Sequence, residues 1–144
     1  MNLTLETLLH GVAATLRDRI APAIEDSFAL EASRLAALLI TISANAVDDA
    51  AAARVWENAA MRALFADAQP MVGGDLSCRL GEAALSDDPG LKISELDSEN
   101  ARLRAILVEL HAAVENAGND QACKLDARIW RLLRETEERR APRS

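Results

Sequence analysis

The sequence predicts an all-α fold, a bundle of about five helices. Three observations predict it. Alanine makes up roughly a fifth of the chain, well above ordinary usage, and it is the best helix former. Apolar residues recur at spacings of three and four through most of the length, which sets them on one face of a helix. No segment alternates apolar and polar residues with β-branched enrichment, as a half-buried strand would.

The first helix is expected from about Thr4 to Ile20, with Leu5, Leu8, Leu9, Val12, Leu16 and Ile20 on one face. Gly11 sits in its middle at a cost of roughly 1 kcal/mol against Ala, and a close helix crossing is the expected reason. Pro22 ends the element. Asp26 or Ser27 caps a second helix that runs to about Val47. Its stripe is Phe28, Leu35, Leu39, Ile42 and Ala46, widened by Leu38 and Ile40, so it is expected to be the most central helix. Asp48 or Asp49 caps a third, Ala50 to Ala68, whose apolar face is mostly small: Ala52, Val55, Trp56, Ala59, Ala60, Ala63 and Leu64.

Residues 70–92 gather Pro70, Gly73, Gly74, Gly81, Pro89 and Gly90 and read as an irregular connection with a short helix at about Asp75 to Leu85. Ser94 and Asp97 have the spacing of a capping box. The helix that follows reaches about Ala117, and Gly118 is a natural residue to end it. Asn119 or Asp120 caps a last helix, about Gln121 to Arg140, with Ala122, Leu125, Ile129, Leu132 and Leu133 inward. The expected organisation is one domain over 1–144: a three-helix unit at 1–69, the connection at 70–92 and an antiparallel helical hairpin at 93–140.

The sharpest pattern is Ile93, Leu96, Asn100, Leu103, Leu107, Leu110, Val114, a seam of a helix lying along another helix. A lone Asn at such a site fixes register and strand number when it pairs with its copy across a two-fold axis. In a parallel pair Lys92 would face Asp97 of the copy and Glu99 would face Arg104, both attractive. Ile106 and Ala113 broaden the apolar face, as packing inside one chain requires. Both arrangements keep the helix and differ in what Asn100 touches. Ile93, Leu96, Asn100, Leu103, Leu107 and Leu110, together with Trp130, are the candidate interface residues.

Little in the chain promises chemistry. The net charge of −7 and sequence pI of about 4.8 oppose nucleic-acid binding. A basic run near the C-terminus (Lys124, Arg128, Arg131, Arg134, Arg139, Arg140, Arg143) is diluted by Asp126, Glu135, Glu137 and Glu138 and suits a solvated helix end. Cys78 and Cys123 have no metal or redox spacing and read as free thiols of a reducing cytoplasm. Glu6 with His10, and His111 with Glu115, read as surface pairs one turn apart rather than metal ligands. Gly73-Gly74-Asp75 lacks the ending of a phosphate-binding loop. The most apolar run, Leu35 to Ile42, is too short to span a bilayer, and no signal peptide is evident. No catalytic residue, metal ligand or cofactor is assigned.

The stretch Leu8-Leu9-His10-Gly11-Val12, leading to Leu16-Arg17-Asp18-Arg19-Ile20-Ala21-Pro22-Ala23-Ile24 and then an Ala-rich helix with Ser43-Ala44-Asn45, resembles a family of small helical bacterial proteins. That family is encoded beside aminoglycoside-phosphotransferase-like proteins and acyl-CoA dehydrogenases. The resemblance covers the first third of the chain and implies an accessory role in a small-molecule or acyl-group pathway, with no residue roles. The expected function is that of a cytoplasmic, non-catalytic accessory or scaffold protein that self-associates or contacts a partner enzyme, with no nucleic-acid or membrane partner. The alternative is a protein that binds, or acts on, a small apolar or acyl-type ligand within the bundle.

Overall fold

Thr4 opens the described chain by accepting a hydrogen bond from the Thr7 backbone N–H, which caps the first helix. A computed structural model describes residues 3–141, and all of its regular structure is helical. Six α-helices follow one another: α1 (Leu5–Thr15), α2 (Ser27–Val47), α3 (Ala50–Ala68), α4 (Gly74–Ala84), α5 (Ile93–Ala117) and α6 (Asp120–Arg140). The sixth is α4, formed within the expected connection. Between α1 and α2 the backbone makes a π-helical turn at Leu16–Ile20 and a 3₁₀ turn at Ala21–Ala23 that holds Pro22 in its first turn. Proline needs no N–H there, so the chain reverses without losing a hydrogen bond.

The chain divides after Ala50 into two compact units, residues 1–50 with 140–144 and residues 51–139. This corrects the expected three-helix N-terminal unit, because α3 belongs with α4, α5 and α6. The reason is side-chain length. Met61, Leu64, Phe65 and Ala68 of α3 join Leu80 and Ala83 of α4, Leu103 to Val114 of α5, and Ala122 to Leu132 of α6 in one core. Of the face expected from the sequence, Leu64 lies in this core and Trp56 and Ala60 pack against it, while Ala52, Ala59 and Ala63 are exposed. Glu57 and Asn58 lie inside.

The first unit is a hairpin of α1 and α2. Asp26 caps α2 by accepting the Ala29 N–H at 2.7 Å. The fully buried side chains of the hairpin are all alanine: Ala13, Ala21, Ala37 and Ala44. Gly11 does not mark a close crossing, since a Cβ built there meets nothing within 4 Å.

In the second unit α5 begins after Lys92, with no side-chain cap. Ser94 lies inside the helix and Asp97 pairs with Arg54, so the expected capping box does not form. Gly118 ends α5 at φ +62°, a left-handed conformation that glycine adopts without cost. Asn119 then accepts the Ala122 N–H at 2.8 Å and starts α6. Arg143 of the basic C-terminal run lies outside the described residues.

Candidate interaction surface

Among the described residues the hairpin presents the chain's largest set of uncovered apolar side chains. On α2, Phe28 is 83% exposed, and Leu35, Leu38, Leu39 and Ile42 are between 38% and 56% exposed. These are the residues of the stripe expected to make α2 the central helix. The opposite face of α2, with Ala37 and Ala44, is the one that packs inside the hairpin. Small residues let two helices approach closely; the outcome is that the long side chains stay on the outside. Leu5, Leu8, Val12 and Ile20 of the first helical stretch are exposed as well, beside a shallow groove that Gly11 and Leu16 help to line.

By length and composition α2 also qualifies as a helix able to cross a membrane, with 11% of its apolar window buried. The Leu35 to Ile42 run understated that length. Two charged residues, Glu31 and Arg34, interrupt the helix and hydrogen-bond to each other at 2.7 Å.

The seam residues lie elsewhere, in the interior of the second unit. Leu96, Leu103 and Leu110 are fully buried, and Asn100 and Leu107 nearly so. Ile93 and Trp130 remain at the surface. Asn100 Nδ2 donates to Asn58 Oδ1 of the same chain at 2.9 Å, and Asn58 Nδ2 donates to Asp88 Oδ1 at 2.9 Å. The seam is therefore filled by α3, and its flanking charges are committed within the chain. Arg104 Nε donates to Glu57 Oε1 at 2.7 Å, and Asp97 pairs with Arg54. Of the two arrangements left open by the sequence, α5 shows packing inside the chain, with Asn58 as the partner of Asn100.

A network of polar groups surrounds the two asparagines. Arg62 Nη2 reaches Asp88 Oδ1 at 2.9 Å and Glu99 Oε1 at 2.8 Å, with all three side chains largely buried. Arg102 donates twice to Glu99, and Ser86 Oγ sits 3.2 Å from Glu99 Oε1. Hydrogen bonds from Arg102, then from Arg62, outweigh burial and hold the Glu99 carboxyl at about 2, well below its usual range. The network anchors the irregular segment after α4 to α3 and α5. It offers no uncommitted base or nucleophile, so its chemistry is structural.

The remaining candidates are scattered. Cys78 and Cys123 are exposed free thiols. His10 lies 3.9 Å from Glu6, and His111 lies 3.8 Å from Glu115, as expected of surface pairs. His111 Nε2 also sits 2.8 Å from Asp126 Oδ1 of α6, and Trp130 meets the imidazole edge-on with ring centres 5.4 Å apart. Among the described residues no three His, Cys, Asp or Glu side chains converge as metal ligands would. A partly open cavity of about 290 Å³ lies in the second unit between Val72, Leu76, Val114, Ala117, Ala122 and Leu125. Neither histidine and neither cysteine lines it.

No family model, curated protein or solved structure matches the chain.

The sequence reading missed Asn58, Arg62 and Asp88, and gave Glu99 a different partner, Arg104 of a copy, from the Arg62 and Arg102 it meets. One signal for Asn58 was present. Asn58, Met61, Phe65 and Ala68 have the three-four-three spacing of a second seam, with an Asn at one end to match Asn100. Arg62, Asp88 and Glu99 meet only through tertiary packing, and no local pattern announces them.

Proposed function

We propose that the chain is a cytoplasmic, non-catalytic helical scaffold that acts through protein–protein contacts and self-association. The observation that carries this reading is the hairpin of α1 and α2, whose buried residues are alanines while Phe28, Leu35, Leu38, Leu39 and Ile42 of α2 are exposed. A contiguous apolar face of that kind is where a macromolecular contact forms. The two exposed free thiols favour a reducing compartment. The resemblance of the first third of the chain to a family of small helical bacterial proteins implies an accessory role of the same kind. Sedimentation of the full chain over a dilution series tests the proposal. Species heavier than 15.5 kDa are expected; a chain that is monomeric throughout, and that no added partner enzyme retards, would sink it.

The cavity near Val114 favours a second reading, the binding of a small apolar or acyl-type molecule. Its lining is mostly aliphatic, with Asn119 and Gln121 at the rim. A short-chain fatty acid that raises the melting temperature of the native chain, and not of Ala117→Trp, would support it.

A further inference from the structure

We propose that the outer stripe of α2 pairs antiparallel with α2 of a second copy of this chain, so that two hairpins close into a four-helix bundle. This rests on the scaffold reading above and names its partner and its surface.

The stripe is Phe28, Ala32, Leu35, Leu39, Ile42 and Ala46. The intervals run four, three, four, three, four, the same from either end, and all six residues fall within a narrow arc of the helix. Side-chain size follows the same symmetry. When Leu35 lies opposite Leu39 of the copy, Phe28 comes opposite Ala46 and Ile42 opposite Ala32. Each large side chain at the ends meets a small one, and leucines meet in the middle, which is how facing helices interdigitate. A helix pair in the opposite sense would set Phe28 against Phe28 and Ala32 against Ala32.

Charge selects the same direction. Glu31 borders the stripe. In a parallel pair it would face its own copy, a like-charge contact; in the antiparallel register it lies level with Ser43 of the copy. The pair Glu31 and Arg34 also argues against lipid as the occupant. Both side chains are more than half exposed on α2, and charged residues within a membrane-spanning segment are rare and costly.

Phe28 is 83% exposed and Leu35, Leu38, Leu39 and Ile42 are between 38% and 56% exposed, a set of large apolar side chains on one helix that marks a contact surface. The hairpin also has a reason to need the cover, since its buried residues are alanines and its larger apolar side chains are half-buried at most.

Light scattering on the full chain tests the interface. The native chain is expected at twice its 15.5 kDa. Leu39→Glu is expected to return it to a single chain with unchanged helicity by circular dichroism, because the chain by itself leaves that side chain exposed; Leu35→Glu provides the second variant. Cross-linking tests the register. With Cys78 and Cys123 replaced by serine, a mixture of L35C and L39C chains is expected to form a disulfide dimer under copper–phenanthroline oxidation. F28C alone is expected to form none, since the two sites lie about 27 Å apart at 1.5 Å per residue. A dimer whose mass Leu39→Glu leaves unchanged overturns this interface while the scaffold reading stands. An F28C cross-link overturns the antiparallel sense. A monomer at every concentration overturns this interface, and it sinks the scaffold reading as well only when no added partner enzyme retards the chain. Cosedimentation of the native chain with phosphatidylglycerol-containing vesicles, abolished by Leu39→Glu, would place the stripe in lipid and overturn this one.

Discussion

Asn100 and Asn58 form a buried amide pair whose polar atoms are satisfied only by each other and by the groups around them. Asn100→Leu leaves Asn58 Oδ1 without that donor, and an unsatisfied buried polar atom costs about 1–3 kcal/mol. The melting temperature is expected to fall with no change of mass in light scattering. A change of mass with stability intact would return Asn100 to an intermolecular role. Glu99 supplies a pH dependence of known sign. Its folded carboxyl titrates at about 2 against 4.5 when free. The stabilisation is therefore complete above pH ~4.5 and lost as pH falls towards 2, amounting to no more than about 3 kcal/mol. Acid titration followed by tryptophan fluorescence is expected to show this limb in the native chain. Glu99→Gln should flatten it and lower the stability at neutral pH. If E99Q and native curves coincide, Glu99 is not the group responsible.

At the scale of elements, two glycines in similar-looking places carry opposite expectations. Gly118 ends α5 at a positive φ, so Gly118→Ala is expected to destabilise by about 1 kcal/mol. Gly11 has an ordinary helical backbone and open space around it, so Gly11→Ala is expected to stabilise by up to about 1 kcal/mol. Thermal melts of the two variants should move in opposite directions; a loss of stability in G11A would mean that something packs against that glycine. The helices themselves were legible from local signals. Asp26, Gly118 and Asn119 act at the termini where their chemistry put them, and α5 and α6 bury the faces their spacing marks. Two faces were not legible and the partner of a third was left open, for one physical reason. Periodicity identifies an apolar stripe but not which neighbour covers it. On α2 the stripe is outside because the alanine face allows a closer approach. On α3 Ala52, Ala59 and Ala63 are outside because Met61 and Phe65 fill more space. On α5 the seam is inside because α3 supplies the matching Asn.

At the scale of the molecule, the two units are unequal in what holds them together. The second has a core of long side chains around Phe65, Leu80, Leu103, Leu110 and Ile129, all fully buried, plus the Arg62 network. The first buries only alanines, with Leu9, Leu16, Ile24, Leu30, Ile40 and Val47 half-buried around them. Burial of apolar area sets local stability. Amide hydrogen exchange is therefore expected to be slowest in α5, and faster in α1 and α2 by orders of magnitude at high dilution. Raising the protein concentration is expected to slow α1 and α2 selectively as copies meet. Protection of the hairpin equal to that of α5 at every dilution would show that it is self-sufficient.

A hairpin that closes on a second copy would make the durability of the protein a function of its dosage. A chain made in small amounts would keep its N-terminal third open to proteases, while the same chain made in quantity would shelter it by mass action. Its abundance in the cell would then rise more steeply than its rate of synthesis.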